Sequence, residues 1–382
     1  IKNIKKIRIV RFKMGKELNT KTTEKTVFIF DADEGMVLSK DVTLPDGHMV
    51  AAKGTELNLN LITRISNYHI LEISVYEEVT PNEQLPTDDE NITYYNKVRQ
   101  TEQFKEFHES YNNDIETVTS HLNHLVLKNE PVDTTELLSS TADILNKYDN
   151  TLQIFDMLHC MRDLDDLTYV HSVNVALIAS IIGKWLNYSE EDVKTLALCG
   201  LLHDIGKILI PDEILSKPDR LTDNEFAIMK NHVNLGYAKI KDEDLDSRIK
   251  EACLLHHEKC DGSGYPFGLP SDQIPDFTKI VTIADVYDAM TCERVYRDSI
   301  CPFEVIKIME SEAYTKYDPK FILPFLRNVV TSYIHTNVKL SDGRICEVVM
   351  INRDNLSLPV VKCGEQFIDL SKEKGIKIVA VL

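Results

Sequence analysis

Apolar and polar positions follow two different patterns along the chain. Over residues 155–330, apolar residues recur every three to four positions, which is the spacing of helices that bury one face. Over residues 336–382, the pattern changes to short apolar runs, such as Val348 to Ile351, with an Asp342-Gly343 turn between them. We therefore expect a mainly α protein, in which an all-helical domain is followed by a small C-terminal β unit.

The first 150 residues have a mixed pattern. A strand-like run from Thr26 to Phe30, helical spacing over 57–70 and a closing strand over 71–76 predict a small α/β unit. Residues 93–150 are polar with helical spacing, which predicts two helices. We expect a basic arm (1–25), a small N-terminal α/β regulatory unit (26–79), a linker and helices (80–150), the helical domain (151–332) and the β unit (333–382).

Local signals mark where two helices begin. Ser189 precedes three acidic residues, and Thr222 precedes Glu225 with the spacing of a capping box. The apolar run from Val173 to Gly183 is too short to cross a membrane, so it is predicted to be core, and no membrane span is expected.

Composition narrows the choice of partners. The net charge of −18 argues against binding to duplex nucleic acid, which requires a basic face. A small phosphate-bearing ligand stays compatible, because a metal site can supply local positive charge inside an acidic protein. The eight cysteines include no C-x-x-C pair, and no signal peptide is evident, so we expect buried free thiols in a cytoplasmic protein.

Five histidines and two aspartates within or beside helical segments are the candidate chemistry. They are His171, His203, Asp204, His232, His256, His257 and Asp285. Imidazole and carboxylate suit divalent iron, manganese or zinc, and one carboxylate can bridge two cations. Two cations about 3.5–4 Å apart can hold a shared hydroxide for in-line attack on phosphorus. A single helical histidine is more often a core or surface group, but this combination predicts a metal site.

The motifs around these residues resemble a known family. Gly200 to Lys207, GLLHDIGK, resembles the HD signature of metal-dependent phosphohydrolases. His256 to Pro266, HHEKCDGSGYP, is similar to the extended signature of the HD-GYP subfamily, and 284–297 continue its pattern. The resemblance covers about residues 155–325. It implies an HD-type catalytic domain that hydrolyses cyclic di-GMP, a bacterial second messenger, by attack of a metal-bridging hydroxide.

The resemblance also implies a role for each site residue. One metal would be held by His171, His203, Asp204 and Asp285, and a second by Asp204, His232, His256 and His257. Two divalent ions, iron or manganese, are expected. Asp204 and Lys207 would be catalytic, with Lys207 stabilising charge at the scissile phosphate. Gly264, Tyr265, Arg294 and Arg297 would join Lys207 in binding substrate, since a guanidinium fork suits phosphate or guanine.

The likeness to the family leaves several alternatives open. Some members carry a third-metal glutamate four residues before the first ligand histidine, where this chain has Leu167. We therefore expect two metals and linear pGpG as the product, with further cleavage to GMP as the alternative. A catalytically weak sensor and a hydrolase of another cyclic dinucleotide are the rival functions, followed by enzymes acting on dNTPs or alarmones. The helices before the catalytic domain suggest a homodimer.

Overall fold

The chain forms two compact units, residues 1–91 and residues 92–382. The computed structural model of the protein describes residues 22–28, 32, 35–43, 49–58, 61–62, 65, 70, 72–78, 98–148, 151–161, 168–217, 221–291 and 301–382. Most of the expected basic arm, and residues 79–97 with the start of the expected linker and helices, lie outside the described residues.

The first unit contains two small antiparallel strand pairs. Strand β1 (Thr22–Phe28) pairs with β4 (Glu72–Glu78), and β2 (Val42–Thr43) pairs with β3 (Met49–Ala51). These include the two strands expected from the sequence. Of the expected helix over 57–70, residues 61, 62 and 65 are described as helical. A separate apolar core forms here around Leu38, Leu57, Ile65, Ile73 and Val75.

The second unit is mainly helical, as the hydrophobic spacing predicts. Its helices are α1 (Glu102–Asn123), α2 (Thr134–Lys147), α3 (Thr151–Cys160), α4 (Thr168–Trp185), α5 (Glu190–Leu202), α6 (Asp212–Leu215), α7 (Asp223–Lys230), α8 (His232–Ile240), α9 (Ser247–Leu255), α10 (Asp276–Thr291), α11 (Pro302–Glu312) and α12 (Pro319–Ser332). A 3₁₀ turn, Ile205–Leu209, follows α5. Helices α1 and α2 are the two expected from residues 93–150.

Helix α4 lies at the centre of this unit. Its apolar run is buried on all sides between Val173 and Ile182, as expected for core. The helix packs closely against α5 at Gly200, where an added Cβ would lie only 2.4 Å from the Cα of Ala176. Glycine is therefore required at this contact, because any side chain would force the two backbones apart.

Both helix starts predicted from capping signals are confirmed. The Ser189 hydroxyl accepts a hydrogen bond from the Asp192 backbone N–H at the start of α5. At the start of α7, the Thr222 and Glu225 side chains form the reciprocal bonds of a capping box. Each cap satisfies backbone donors that the first helical turn leaves without a partner.

The C-terminal residues form the expected β unit, a five-stranded antiparallel sheet in the order β8-β7-β6-β5-β9. The strands are β5 (Asn337–Leu340), β6 (Ile345–Met350), β7 (Val360–Cys363), β8 (Gln366–Asp369) and β9 (Ile378–Val381). Buried side chains of the sheet, among them Val338, Val348 and Val361, belong to the same apolar core as α11 and α12. The sheet and the helices therefore share one core.

A disulfide joins Cys346 on β6 to Cys363 on β7, so the expectation of free thiols throughout was wrong. The antiparallel register pairs Glu347 with Lys362, which places the two cysteines opposite each other with their Cα atoms 4.3 Å apart. Their separation of 17 residues has no recognisable spacing signal. The other described cysteines, at 160, 199, 253, 260 and 301, remain as thiols. Within the described part of the chain, no helix has the length and apolar character to span a membrane.

Candidate metal centre

The seven predicted ligand residues lie together in the second unit. His171 is on α4 and Asp285 is on α10, while His203 and Asp204 directly follow α5. His232 begins α8, and His256 and His257 directly follow α9. All are buried except His257, which is partly exposed. Helices α4, α5, α8, α9 and α10 therefore bring residues from five parts of the chain to one place.

The first group of potential ligand atoms comes from His171, His203 and Asp285, and these atoms lie within 4.8 Å of one another. His171 Nε2 is 3.1 Å from Asp285 Oδ1. Asp204 adjoins this group, since its Oδ2 is 3.1 Å from His203 Nε2 and 3.5 Å from His171 Nε2.

The second group consists of Asp204, His232, His256 and His257, again with ligand atoms within 4.8 Å of one another. Asp204 Oδ1 lies 3.2 Å from His232 Nε2 and 3.6 Å from His256 Nε2. The two oxygens of the Asp204 carboxylate thus face different groups, Oδ2 the first and Oδ1 the second. This is the geometry that a carboxylate shared by two cations requires.

Four of the five imidazoles are oriented by a hydrogen bond on Nδ1. The acceptors are Asp288 Oδ2 for His171 at 2.7 Å, the Gly200 carbonyl for His203 at 2.7 Å, the Met229 carbonyl for His232 at 2.7 Å and the Ala252 carbonyl for His256 at 3.0 Å. Because these oxygens only accept, Nδ1 of each of these imidazoles carries a proton and Nε2 faces the centre.

The electrostatics favour the protonation states of metal ligands. Burial alone would raise the pKa of Asp204, but His203 and Lys207 hold it well below its usual range. Burial also lowers the pKa of His256 to about 4 and, together with His256, lowers that of His257 well below its usual value. Ionised carboxylates and neutral imidazoles are the forms that bind divalent cations.

His171 differs from the other imidazoles. Burial opposes its charged form, but hydrogen bonds with Asp285 and Asp288 outweigh that effect and raise the pKa of His171 to about 10. A proton and a cation therefore compete for Nε2, and metal loading would release that proton.

The donor atoms fit a pair of divalent ions. His203 Nε2 and both Asp204 oxygens are buried, and no described residue forms an aligned hydrogen bond with them. The close contacts of these atoms are with charged or ligand groups of the centre itself. For example, Lys207 Nζ lies 2.5 Å from Asp204 Oδ2. Buried polar atoms normally have aligned hydrogen-bond partners, so a convergent set of ligand atoms that lack such bonds indicates sites for cations. Mixed imidazole and carboxylate donors suit iron, manganese or zinc.

The loop after His257 is built against the second group. At Gly264, an added Cβ would lie 2.4 Å from the Glu258 Cα, so only glycine fits. The Tyr265 ring stacks on the His257 ring with centroids 4.6 Å apart. The buried Glu258 carboxylate accepts backbone N–H bonds from Phe267 at 2.7 Å, Gly268 at 3.1 Å and Leu269 at 2.9 Å. Glu258 therefore organises the loop that carries Tyr265.

Two further residues contribute to the site beyond those that the sequence indicated. Asp288 orients His171, and a usable signal existed, because Asp288 is three residues after Asp285 and so shares its helix face. Glu258 had no such signal, since the backbone N–H groups that donate to its carboxylate lie nine to eleven residues further along the chain. Arg294 and Arg297, predicted to bind substrate, and Leu167 lie outside the described residues.

Comparison with known proteins gives three findings. Residues 134–321 match the family model of the HD domain. A cyclic di-GMP phosphodiesterase of Pseudomonas aeruginosa is 36% identical over 203 residues, which cover 53% of this chain and 49% of that protein. A 3′3′-cGAMP-specific phosphodiesterase 2 of Vibrio cholerae is 32% identical over 171 residues, 44% of this chain and 33% of that protein. The chain therefore spans half or less of the length of these relatives.

A solved structure shares the fold. It is an HDG"Y"P protein, Bd1817, from Bdellovibrio bacteriovorus, with a TM-score of 0.51 and 16% sequence identity. The likeness covers 81% of this chain and 99% of that chain. The match in residues 134–321 begins within the segment that the sequence pattern assigned to the linker and helices, at the first residue of α2.

Proposed function

We propose that this chain is an HD-GYP-type, metal-dependent phosphodiesterase that hydrolyses cyclic di-GMP to linear pGpG, because residues 134–321 match the family model of the HD domain. The observation that carries the proposal is the buried Asp204 carboxylate, whose two oxygens face two adjoining sets of ligand atoms. Relatives named as phosphodiesterases of cyclic di-GMP and of 3′3′-cGAMP support a cyclic dinucleotide as the substrate class.

The metals proposed are two divalent ions, iron or manganese. His171, His203 and Asp285 would hold one, His232, His256 and His257 the other, and Asp204 both. When bound, such ions neutralise phosphate charge and lower the pKa of a water molecule towards about 7. Asp288 and three backbone carbonyls keep the imidazoles aligned with Nε2 inwards.

Lys207 supplies positive charge from the protein itself. Its ammonium is partly exposed, with 22% of the side chain accessible, and lies beside the shared carboxylate. From that position it can offset the negative charge that builds on the scissile phosphate. Gly264 and Tyr265 shape the adjoining loop, and Arg294 and Arg297 are proposed as contacts to phosphate or guanine.

A second candidate function is hydrolysis of a mixed guanine–adenine ring, which the similarity to a 3′3′-cGAMP-specific enzyme favours. Substrate competition separates the two functions: cyclic di-GMP should have a higher kcat/KM than the mixed ring.

The pGpG end product, the homodimer and the cytoplasmic location also stay predictions.

The proposed function is tested by anaerobic purification with metal analysis, followed by a timed cyclic di-GMP assay. We expect about two metal ions per chain and pGpG as the accumulating product. Asp204→Ala should lose both metals and turnover, because it removes the one carboxylate whose two oxygens face both groups. Asp272→Ala, at an exposed position, is the matched control.

Each contrary result has a defined meaning. A wild-type protein without metal under anaerobic conditions would refute the metal centre. Bound metal without turnover of any cyclic dinucleotide would identify a sensor. Rapid conversion of pGpG to GMP would show that the product was assigned wrongly.

A further inference from the structure

Helix α7 presents an unusual face next to the metal centre. None of its side chains is buried, and the helix is held by its capping box and by the Lys217–Glu225 ion pair. Phe226 is 48% exposed on this helix, although most large apolar side chains of the second unit are in the core. An exposed aromatic ring at the rim of a catalytic centre is a candidate ligand contact.

Lys230 connects this ring to the centre. Its ammonium lies 5.1 Å from the centroid of the Phe226 ring and 5.8 Å from that of the Tyr265 ring. Tyr265 belongs to a different segment and stacks in turn on the ligand His257. The Phe226–Lys230 contact alone could be an ordinary pair one helical turn apart. Because Lys230 also lies near Tyr265, the side chains of Phe226, Lys230 and Tyr265 form a continuous surface from His257 to solvent.

The chemistry of this surface fits one part of the proposed substrate. In a nucleotide, the base lies one ribose away from its phosphate, so a phosphate at the metals leaves a base at the rim of the centre. Aromatic rings stack on any base, whereas a lysine ammonium can donate to the O6 and N7 acceptors of guanine. Adenine has an amino group in place of O6, so the same ammonium would meet a donor there.

We propose that Phe226, Lys230 and Tyr265 form a guanine-binding subsite, in which the rings stack on the base and Lys230 reads its O6 and N7 edge. This inference rests on the proposed function, because it assigns a place to one base of the cyclic dinucleotide. It makes Lys230 a specificity-determining residue.

The test compares substrates with and without a guanine in the metal-loaded, full-length protein. The substrates are cyclic di-GMP, cyclic di-AMP and methyl p-nitrophenyl phosphate, a diester without a base. For Lys230→Met, we expect the kcat/KM ratio of cyclic di-GMP to the baseless diester to fall about 10-fold, the size of one specific contact to a base. The ratio for cyclic di-AMP should fall much less.

Phe226→Leu keeps an apolar side chain but removes the aromatic face. It should lower the ratios for both cyclic dinucleotides, by about 10-fold, because stacking does not depend on the identity of the base. Ile228→Ala on the same helix and Lys241→Met at a distant exposed position are controls that should leave all ratios unchanged. Equal losses on all three substrates, or no loss with either variant, would overturn the subsite.

A further substrate pair separates the failure of this inference from the failure of the proposed function. If the protein cleaves the baseless diester but no cyclic dinucleotide, the proposed function fails. The p-nitrophenyl esters of 5′-GMP and 5′-AMP then decide the subsite alone. A guanosine preference that Lys230→Met abolishes would support it, and the same rate for both esters would overturn it.

Discussion

At the scale of single residues, the centre depends on atoms that are not themselves ligands. Asp288 and three backbone carbonyls hold Nδ1 of four imidazoles, which leaves Nε2 of each facing the centre. The seven ligand residues could be predicted because their types and motifs are visible in the sequence. The carbonyl acceptors could not be predicted, because every residue has a backbone carbonyl and only the fold determines which of them points at an imidazole.

Replacing Asp288 with asparagine should weaken metal binding without removing a ligand. The variant keeps the shape of the side chain but loses the charge that holds the His171 Nδ1 proton. Outer-shell changes of this kind typically cost about 10–100-fold in metal affinity or activity. Metal content measured during titration with a chelator would show the loss. Asp272→Asn is the exposed control, and equal chelator resistance in both variants would contradict the orienting role.

At the scale of elements, hydrophobic spacing and capping signals were sufficient to predict that the second unit is mainly helical and that two helices begin at Ser189 and Thr222. The loop after His257 was predicted to bind substrate through Gly264 and Tyr265. Its internal support by Glu258 could not be foreseen, because turn-forming residues indicate where a chain bends but not which buried carboxylate collects its N–H groups.

Glu258→Gln should loosen this loop. The amide has one oxygen in place of two, so it cannot accept all three backbone N–H groups, and its NH₂ would face a donor. A buried donor left unsatisfied costs about 1–3 kcal/mol. We expect lower thermal stability and a kcat/KM for cyclic di-GMP reduced by about 10-fold, as the support for Tyr265 weakens. Glu213→Gln, at an exposed position, is the control. A wild-type melting temperature and kcat/KM in Glu258→Gln would refute the anchor.

A second prediction at this scale concerns the packing of α1 against α2. Asp114 is fully buried, its Oδ2 accepts a hydrogen bond from the Thr141 hydroxyl, and burial raises its pKa from 3.8 to about 7. The folded state therefore holds a proton that the unfolded state releases at lower pH. The contribution of Asp114 to the free energy of unfolding should therefore fall as pH rises from about 4 to about 7.

Asp114→Asn removes this ionisation and should be the more stable protein at pH 8, by about 2–4 kcal/mol. Urea unfolding at pH 5 and pH 8 measures the difference. Asp143→Asn on the neighbouring helix face is a useful comparison, because Asp143 raises the pKa of Asp114 and its loss should give a smaller gain. A stability difference between Asp114→Asn and wild type that does not change with pH would contradict the assignment.

At the scale of the whole molecule, the two units have separate apolar cores. The periodicity of the sequence predicted an α/β segment, a helical segment and a β segment in the right order. It could not show that the C-terminal sheet shares its core with α11 and α12, because a periodic pattern identifies a buried face but not its partner.

Two truncations should therefore behave differently. A chain of residues 92–382 should stay folded and keep its metals, because no described residue of 1–91 belongs to its core. A chain that ends at residue 332 should aggregate. It loses several buried side chains such as Val338, Val348 and Val361, at about 1.5–3 kcal/mol each, against a typical domain stability of about 5–15 kcal/mol. Size-exclusion chromatography and metal content measure both outcomes, and a monomeric, metal-loaded 1–332 chain would contradict the shared core.

The contact between Gly200 and Ala176 limits which amino acids position 200 can accept during evolution. Gly200 lets α5 approach α4, and its carbonyl also receives the His203 Nδ1 proton. One methyl group added there would push apart α4, which carries His171, and α5, which His203 directly follows. In a saturation mutagenesis library selected for turnover, position 200 should therefore be as intolerant as the ligand positions themselves, although it contributes no side chain to the chemistry.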